Sequence, residues 1–140
     1  MSIKKILTPI DGSEHAEKAL RYALEIAEKH EADVEIMTVV PEVVTTPKWM
    51  KDYTEQMKEK GEEMLTKTLR KAKGEKPDIN ISKRLEEGII IPKILEVAKK
   101  GKHDIIILGS RGMGLARGVL LGSVCSKIVH LAEIPVLIVK

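Results

Sequence analysis

The segment 104-DIIILGSRGMG-114 contains the two features that decide the fold, a continuous apolar run and a glycine-rich segment directly behind it. Residues 105–108 are apolar without interruption, which is typical of a parallel strand that is buried on both faces. Gly109 ends the run, and Gly112 and Gly114 follow it. A buried parallel strand that leads into a glycine-rich loop predicts an α/β protein.

Four further strands are predicted around this one. The third of the five strands alternates apolar and polar residues, which favours a place at the sheet edge. The other segments are mostly aliphatic. The expected strands are 3–10, 33–40, 79–85, 104–109 and 135–139.

Four helices are predicted between the strands. Ser13 is the expected cap of the first helix, Pro92 suits the first turn of the third, and Gly101 is its expected stop. Ser123 is expected to cap the last helix, which runs through Leu131, and the second helix is expected over 48–73. Strictly alternating strands and helices predict a parallel sheet with right-handed crossovers and helices on both faces.

The amino-acid composition limits the classes of function that the protein can have. The 140 residues predict one domain, 1–140, and 43% hydrophobic with 32% charged residues is typical of a soluble globular protein. A net charge of +3 gives no reason to expect a nucleic-acid partner. Only 2% of residues are aromatic (Tyr22, Trp49 and Tyr53), so no base-stacking platform can form, and any bound base must be held by aliphatic side chains and backbone.

Cysteine content and hydropathy indicate the cellular compartment to expect. The single cysteine, Cys125, excludes an intrachain disulfide and a cysteine-built zinc site, which fits a reducing cytoplasm. We expect Cys125 to be a buried, inert thiol, and the four histidines (His15, His30, His103 and His130) to be structural or solvated. No apolar run approaches membrane-spanning length. We therefore expect a cytoplasmic protein without a membrane or nucleic-acid partner.

Two predicted strand ends carry polar and glycine residues. Residues 9–13 (Pro9, Ile10, Asp11, Gly12 and Ser13) follow the first strand, and Gly109, Ser110 and Arg111 follow the fourth. In open α/β sheets, ligands bind outside the carboxyl ends of the strands where the strand order reverses. If the two strands are neighbours, the glycine loop and the start of the last helix form a phosphate cradle.

Charged residues at these ends have separate expected roles. Arg111 and Arg117 supply positive charge, and Ser123 offers a hydroxyl and an amide. Asp11 has the wrong charge to touch phosphate, so we expect it to accept a ribose hydroxyl or to hold Mg²⁺ through water. The alternative is that Asp11 only caps the first helix.

The glycine spacing distinguishes between nucleotide motifs. A Walker loop is missing, and the segment 112–118 has one residue too many for a dinucleotide fingerprint. The pattern Gly109-x₂-Gly112-x₉-Gly122-Ser123 resembles the ATP-binding signature of the universal stress protein family. The segments 4-KKILTPIDGS-13 and 134-IPVLIV-139 resemble that family's first strand with its Asp turn and its final strand, so the resemblance covers nearly the whole chain.

The resemblance implies a Rossmann-like, doubly wound, five-stranded parallel sheet in the order 3-2-1-4-5. It implies a site for ATP or another adenine nucleotide, with Mg²⁺ or Mn²⁺ on the phosphates. Phosphates and ribose would contact Gly109, Gly112, Gly122, Ser123 and the Val124 amide; Pro9 and Asp11 would border the ribose and the metal; Val39 and Val40 would supply the backbone edge and the aliphatic wall for the adenine. Ile10, Ser110, Arg111 and Gly114 adjoin these positions and complete the candidate set.

Homodimerisation through the last strand is also expected, because an aliphatic edge at 135–139 is unfavourable in water and the resemblance implies the same contact. The expected function is a nucleotide-dependent switch in the stress response, in which ligand orders the loop between Gly109 and Gly122 for an unknown protein partner. The alternatives are a slow ATP hydrolase and a nucleotide-independent interaction module.

Overall fold

Five strands and four helices alternate in the part of the chain that the structure, a computed structural model, describes: residues 2–42, 47–111 and 121–140. The strands and helices follow each other along the chain in the predicted order. They are β1 (Lys5–Pro9), α1 (Glu14–His30), β2 (Asp33–Val40), α2 (Lys48–Glu75), β3 (Ile81–Glu87), α3 (Ile90–Lys100), β4 (Ile105–Gly109), α4 (Ser123–Leu131) and β5 (Val136–Val139).

The strands form one parallel sheet in the order β3-β2-β1-β4-β5, which confirms the predicted Rossmann-like arrangement. β3 lies at one edge, as its alternating sequence predicts, and β5 lies at the other. The chain moves outward from β1 to β3 and then crosses back to β4 on the other side of β1. The strand order therefore reverses between β1 and β4.

Each face of the sheet has its own apolar core, so helices cover both faces as predicted. The residues of α1 and α2 pack with Ile6, Val34 and Ile36 on one face. The residues of α3 and α4 pack with Leu7, Met37 and Ile106 on the other. Successive residues of β1 therefore enter different cores, as the period of two in a strand requires. No helix within the described ranges combines the length and the apolar character needed to cross a membrane.

Helix ends partly match the predictions. The Oγ atom of Ser13 accepts the N–H of Ala16 at 3.2 Å and caps α1, as expected. The prediction that Ser123 caps α4 is wrong by one residue, since Gly122 is the N-cap and Ser123 begins the helix. Gly122 is fixed there because its N–H donates to the carbonyl of Ser110 at 2.6 Å.

Gly101 ends α3 as predicted, but for a different physical reason. Its φ is −78°, so it does not use the left-handed conformation that glycine allows, and Lys102 adopts that conformation with φ 55°. A Cβ on Gly101 would stand 2.5 Å from the imidazole of His103. Glycine is needed because the His103 ring packs against the helix end.

His103 belongs to a group of charged residues near the amino ends of the strands. Its Nε2 lies 3.1 Å from Oε1 of Glu35, without the alignment of a hydrogen bond, and Oε2 of Glu35 lies 3.3 Å from Nε of Arg84. Both His103 and Glu35 are buried. Burial lowers the pKa of His103 below its ordinary value, and the negative charge of Glu35 opposes this only partly.

We expect the stability of the protein to fall as the pH drops below about 6.5, the ordinary histidine value. The unfolded chain takes up the His103 proton at a higher pH than the folded chain, so protonation favours unfolding. Glu35→Gln removes the charge that raises the pKa of His103, and the decline should then extend to lower pH. The free energy of unfolding, measured by urea titration between pH 8 and pH 5, tests this. His103→Gln should flatten the pH dependence relative to a control at the exposed His30; an equal slope in both variants would contradict the assignment.

Candidate functional site

A cleft of about 310 Å³ lies at the carboxyl ends of β1, β2 and β4. It opens where β1 and β4 separate. Their pairing covers only Ile6–Ile105 and Leu7–Ile106, whereas β1 stays paired with β2 as far as Pro9–Met37. The next residue, Ile10, donates its N–H to the carbonyl of Met37 at 2.8 Å, so the end of β1 follows β2. The cleft therefore occupies the position where the strand order reverses, as predicted for a ligand site.

The turn after β1 forms one wall of the cleft. Pro9, Ile10, Asp11 and Ser13 all line it. Oδ1 of Asp11 accepts the N–H of Ser13 at 2.9 Å, and Gly12 has φ 85°, a conformation that favours glycine. Because Ser13 caps α1, Asp11 fixes the turn rather than the helix. The carboxylate is exposed at the cleft wall.

The opposite wall is formed by Gly109, Ser110 and Arg111 at the end of β4. Backbone hydrogen bonds hold Ser110 in place, since its N–H donates to the carbonyl of Val139 at 2.8 Å and its carbonyl accepts from Gly122. Ser110 is 1% exposed, and its hydroxyl has no hydrogen-bond partner among the described residues; the same holds for Nε of Arg111. Leaving such a group unpaired costs about 1–3 kcal/mol.

The amino end of α4 lies at the same wall. Gly122, Ser123, Val124 and Cys125 line the cleft. The first N–H groups of an α-helix have no partner within the helix, and the helix dipole places partial positive charge at this end. The first turn of α4 therefore supplies the anion-binding end of the cleft.

Gly109 has a packing role beside any contact with a ligand. A Cβ at this position would stand 2.7 Å from the carbonyl carbon of His15 and 2.8 Å from its carbonyl oxygen. These are backbone atoms of α1 that cannot easily move. The lack of a side chain at Gly109 therefore lets the start of α1 approach the end of β4, which brings the two walls of the cleft together.

Apolar residues line the remainder of the cleft. Val39 is part of it, together with Met37, Leu108, Ile90 and Ile94, which sequence reasoning missed. Two signals could have identified them, because Met37 alternates with Val39 along β2, and Ile90 and Ile94 are four residues apart on α3. Thr38, Ala16 and Cys125 complete the described lining.

Val40, the other residue expected to wall the adenine, does not line the cleft. Its Cγ1 lies on the α2 side of the sheet, 3.4 Å from the position of a Cβ on Gly61. Its carbonyl accepts the N–H of Gly88 at 2.9 Å. Neighbouring strand residues face opposite sides of a sheet, so Val39 and Val40 cannot both present side chains to one cleft.

Three predicted residues, Gly112, Gly114 and Arg117, lie outside the described residues. Within the described ranges, no group of three or more His, Cys, Asp or Glu side chains is placed to hold a metal ion. Cys125 is buried, as predicted, and burial raises the pKa of its thiol. The described residues thus provide anion-binding groups, one carboxylate at Asp11 and an apolar wall.

We expect Gly109→Ala to lower the free energy of unfolding by roughly 1–3 kcal/mol without any ligand, because the added methyl group displaces the start of α1. Gly74→Ala is the matched control, since a Cβ there meets no atom within 4 Å. The control should be neutral or stabilising by up to about 1 kcal/mol. Urea titration of both variants measures the difference, and equal stability would show that Gly109 is not required for this packing.

Proteins of known structure share this architecture. Residues 2–140 match the model of the universal stress protein family. Universal stress protein MJ0531 of Methanocaldococcus jannaschii is 35% identical over 98% of this chain and 82% of its own length. The solved structure of MJ0577 from the same organism is 30% identical, covers 100% of this chain and 97% of that one, and has a TM-score of 0.82.

A further solved structure, a universal stress protein in complex with cAMP, is 25% identical. It covers 100% of this chain and 99% of that one, with a TM-score of 0.73. The family match spans nearly every residue, and the strand order agrees with the one that the resemblance implied. This chain belongs to the universal stress protein family.

Proposed function

We propose that the cleft binds ATP or another adenine nucleotide and that the protein is a nucleotide-dependent regulator in the stress response of the cytoplasm. The observation that carries this proposal is the buried, unpartnered hydroxyl of Ser110 beside the first turn of α4. Ser110 and the first turn of α4 both line a cleft at the position where α/β sheets bind nucleotides.

The two ends of the cleft suit the two ends of a nucleotide. Backbone N–H groups of α4, the Ser110 hydroxyl and the Arg111 guanidinium are hydrogen-bond donors for phosphate oxygens. Val39, Met37 and Ile94 form an apolar wall for the base. No aromatic residue is among the described lining, so the base is held by aliphatic side chains and backbone. The relative solved with cAMP supports an adenine nucleotide as the ligand class.

A divalent cation fits this cleft as a companion of the phosphates. Mg²⁺ prefers oxygen ligands and is commonly held by one or two carboxylates together with substrate phosphates and water. Asp11 is the one carboxylate in the described lining. Mg²⁺ or Mn²⁺ would neutralise phosphate charge that the positive groups leave unmatched, with Asp11 as its protein contact through water.

The described lining favours a regulator over an ATP hydrolase. Hydrolysis needs a group that activates water, and no histidine is among the described lining residues. Asp11, the one carboxylate in the described lining, is the proposed contact of the metal ion. A regulator needs only a difference in nucleotide affinity between two states of the protein. The segment that is expected to respond to bound nucleotide lies between Gly109 and Gly122. Its residues 112–120 are outside the part of the chain that the structure describes.

Titration calorimetry with ATP, ADP, AMP, cAMP and GTP tests the proposal. We expect adenine nucleotides to bind and Ser110→Ala to weaken ATP about tenfold, the effect of losing a hydrogen bond to a charged group. Ser126→Ala is the matched control, since Ser126 is on α4 but outside the cleft. A phosphate-release assay on the same sample separates regulator from hydrolase. If no adenine nucleotide binds, the nucleotide-independent interaction module replaces both the regulator and the hydrolase as the proposed function.

We also propose that two copies of the chain pair through β5. This strand forms an edge of the sheet, and Leu131 and Val129 in the preceding helix are exposed by 58% and 45%. The carbonyls of Pro135 and Val139 accept hydrogen bonds from β4. The backbone N–H and C=O groups of successive strand residues point alternately to the two neighbouring strand positions. Since the carbonyls of Pro135 and Val139 point toward β4, the N–H of Ile138 points away from β4, toward the free edge.

Ile138→Pro is expected to give a monomer because proline removes an edge donor while the bonds between β4 and β5 remain. Ile138→Ala is the control, since it shortens the side chain but keeps the N–H. Size-exclusion chromatography with light scattering should show a dimer for the control and a monomer for the proline variant. A dimer in both variants would place the interface elsewhere.

A further inference from the structure

Ile90 is the one apolar residue in the described lining of the cleft that is exposed rather than buried or half-buried. Its exposed fraction is 46%, whereas Ile94 is 2% exposed and Met37 is fully buried. The other exposed residues of the described lining, Asp11 and Ser123, are polar. Ile90 therefore presents to the cleft an apolar surface that the protein itself leaves uncovered.

The backbone before α3 fixes Ile90 at the mouth of the cleft. The N–H of Gly88 donates to the carbonyl of Val40 at 2.9 Å, and Gly88 has φ 142°, a conformation that favours glycine. Ile90 follows as the first residue of α3. Ile94 lies one helical turn further along, about 6 Å closer to the amino ends of the strands. The two side chains thus form the outer and the inner part of one apolar wall.

The first turn of α3 contains no residue that stabilises the helix end. Ile89 occupies the N-cap position without a side-chain hydrogen bond, and the first turn has no acidic residue. Ser, Thr, Asp and Asn are strongly preferred at this position because their side chains accept the free N–H groups of the first turn. Helix stability therefore does not account for the apolar residues at this end of α3.

We propose that Ile90 is a specificity-determining residue of the cleft and that it favours nucleotides with a purine base over those with a pyrimidine base. This inference rests on the proposed function, because it requires phosphate groups at the first turn of α4. With the phosphates held there, the base lies on the wall formed by Val39 and Ile94, and its outer part covers Ile90.

The physical reason is the apolar area that the base removes from water, since affinity from burial is proportional to that area. Ile94 and Met37 are buried before a ligand arrives, so covering them adds little. Ile90 is nearly half exposed, so covering its side chain adds more. A purine has a second fused ring and covers more of Ile90 than a pyrimidine does. Ile90 therefore distinguishes the size of the base and not its hydrogen-bonding edge.

Titration calorimetry with AMP, ADP, ATP and CTP tests this role. We expect Ile90→Ala to weaken AMP, ADP and ATP by the same factor, about fivefold, and to weaken CTP by less than about twofold. The factor should not depend on the number of phosphates, because the contact is with the base. Ile89→Ala is the matched control, since it removes the same atoms from the neighbouring residue, which is 75% exposed and outside the described lining. It should have little effect on any of the four ligands.

Two further measurements separate a contact with the base from a structural role of Ile90. Inorganic tripolyphosphate has no base, so its affinity should be the same in Ile90→Ala and in the unchanged protein. Ile90→Leu keeps the apolar area and should restore the affinity for ATP. Urea unfolding of each variant shows whether it is folded. A loss of tripolyphosphate affinity in folded Ile90→Ala would show that the residue acts through the shape of the cleft, which would overturn the proposal.

The outcomes also separate this inference from the proposed function. If the unchanged protein binds ATP but Ile90→Ala and Ile89→Ala bind it equally well, the role of Ile90 is refuted and the nucleotide site stands. An equal loss of ATP and CTP affinity in Ile90→Ala would refute the preference for purines. If the unchanged protein binds none of the adenine nucleotides, the proposed function fails and this inference fails with it.

Discussion

The close approach of α1 to the end of β4 at Gly109 determines the shape of the functional end of the molecule. The backbone of His15 occupies the space that a side chain on Gly109 would fill. Since α1 begins directly after the turn that contains Asp11, this contact also positions that turn opposite Ser110 and α4. At the same height, β1 remains with β2 and separates from β4, so the sheet itself opens. Close packing behind the cleft and strand separation within it together produce a cavity in a closely packed protein.

The turn at 10–13 is consequently under two constraints. On one side it lines the cleft at the carboxyl ends of the strands, and on the other it lines a second cleft, between α1 and α2. Its conformation is set locally, by the hydrogen bond from the N–H of Ser13 to Asp11 and by the positive φ of Gly12. The two clefts, on opposite faces of the sheet, therefore share one structural element.

Sequence patterns predicted the elements well because each element depends on local periodicity. β2 was predicted at the residues it occupies, and the alternation of β3 identified an edge strand. The strand order came from the family resemblance, since nothing in local periodicity orders parallel strands. The spacing did not predict side-chain direction: Val39 and Val40 were named together as the backbone edge and aliphatic wall for the adenine, and of the two only Val39 lines the cleft. The contact of Gly109 with His15 joins residues that are distant in the sequence, and their approach depends on tertiary packing, which the spacing of glycines does not encode.

Buried polar atoms without a hydrogen-bond partner in the described residues occur at both ends of the sheet, but among them only those of Ser110 and Arg111 belong to residues that line the cleft. At the amino end, Oδ2 of Asp104 accepts the N–H groups of Lys4 and Lys5, and Glu35 lies between Arg84 and His103. Oε1 of Glu35 and the ring nitrogens of His103 lack a hydrogen-bond partner in the described residues, although Glu35 and His103 lie beside each other. At the carboxyl end, the described residues offer no partner to the hydroxyl of Ser110, although it is 1% exposed and held in place by two backbone hydrogen bonds. Because native structures rarely leave such groups unpaired, the missing partner is expected in the cleft that Ser110 lines. An anionic ligand held by Ser110 and the first turn of α4 meets that requirement, and the purely structural function of an interaction module does not.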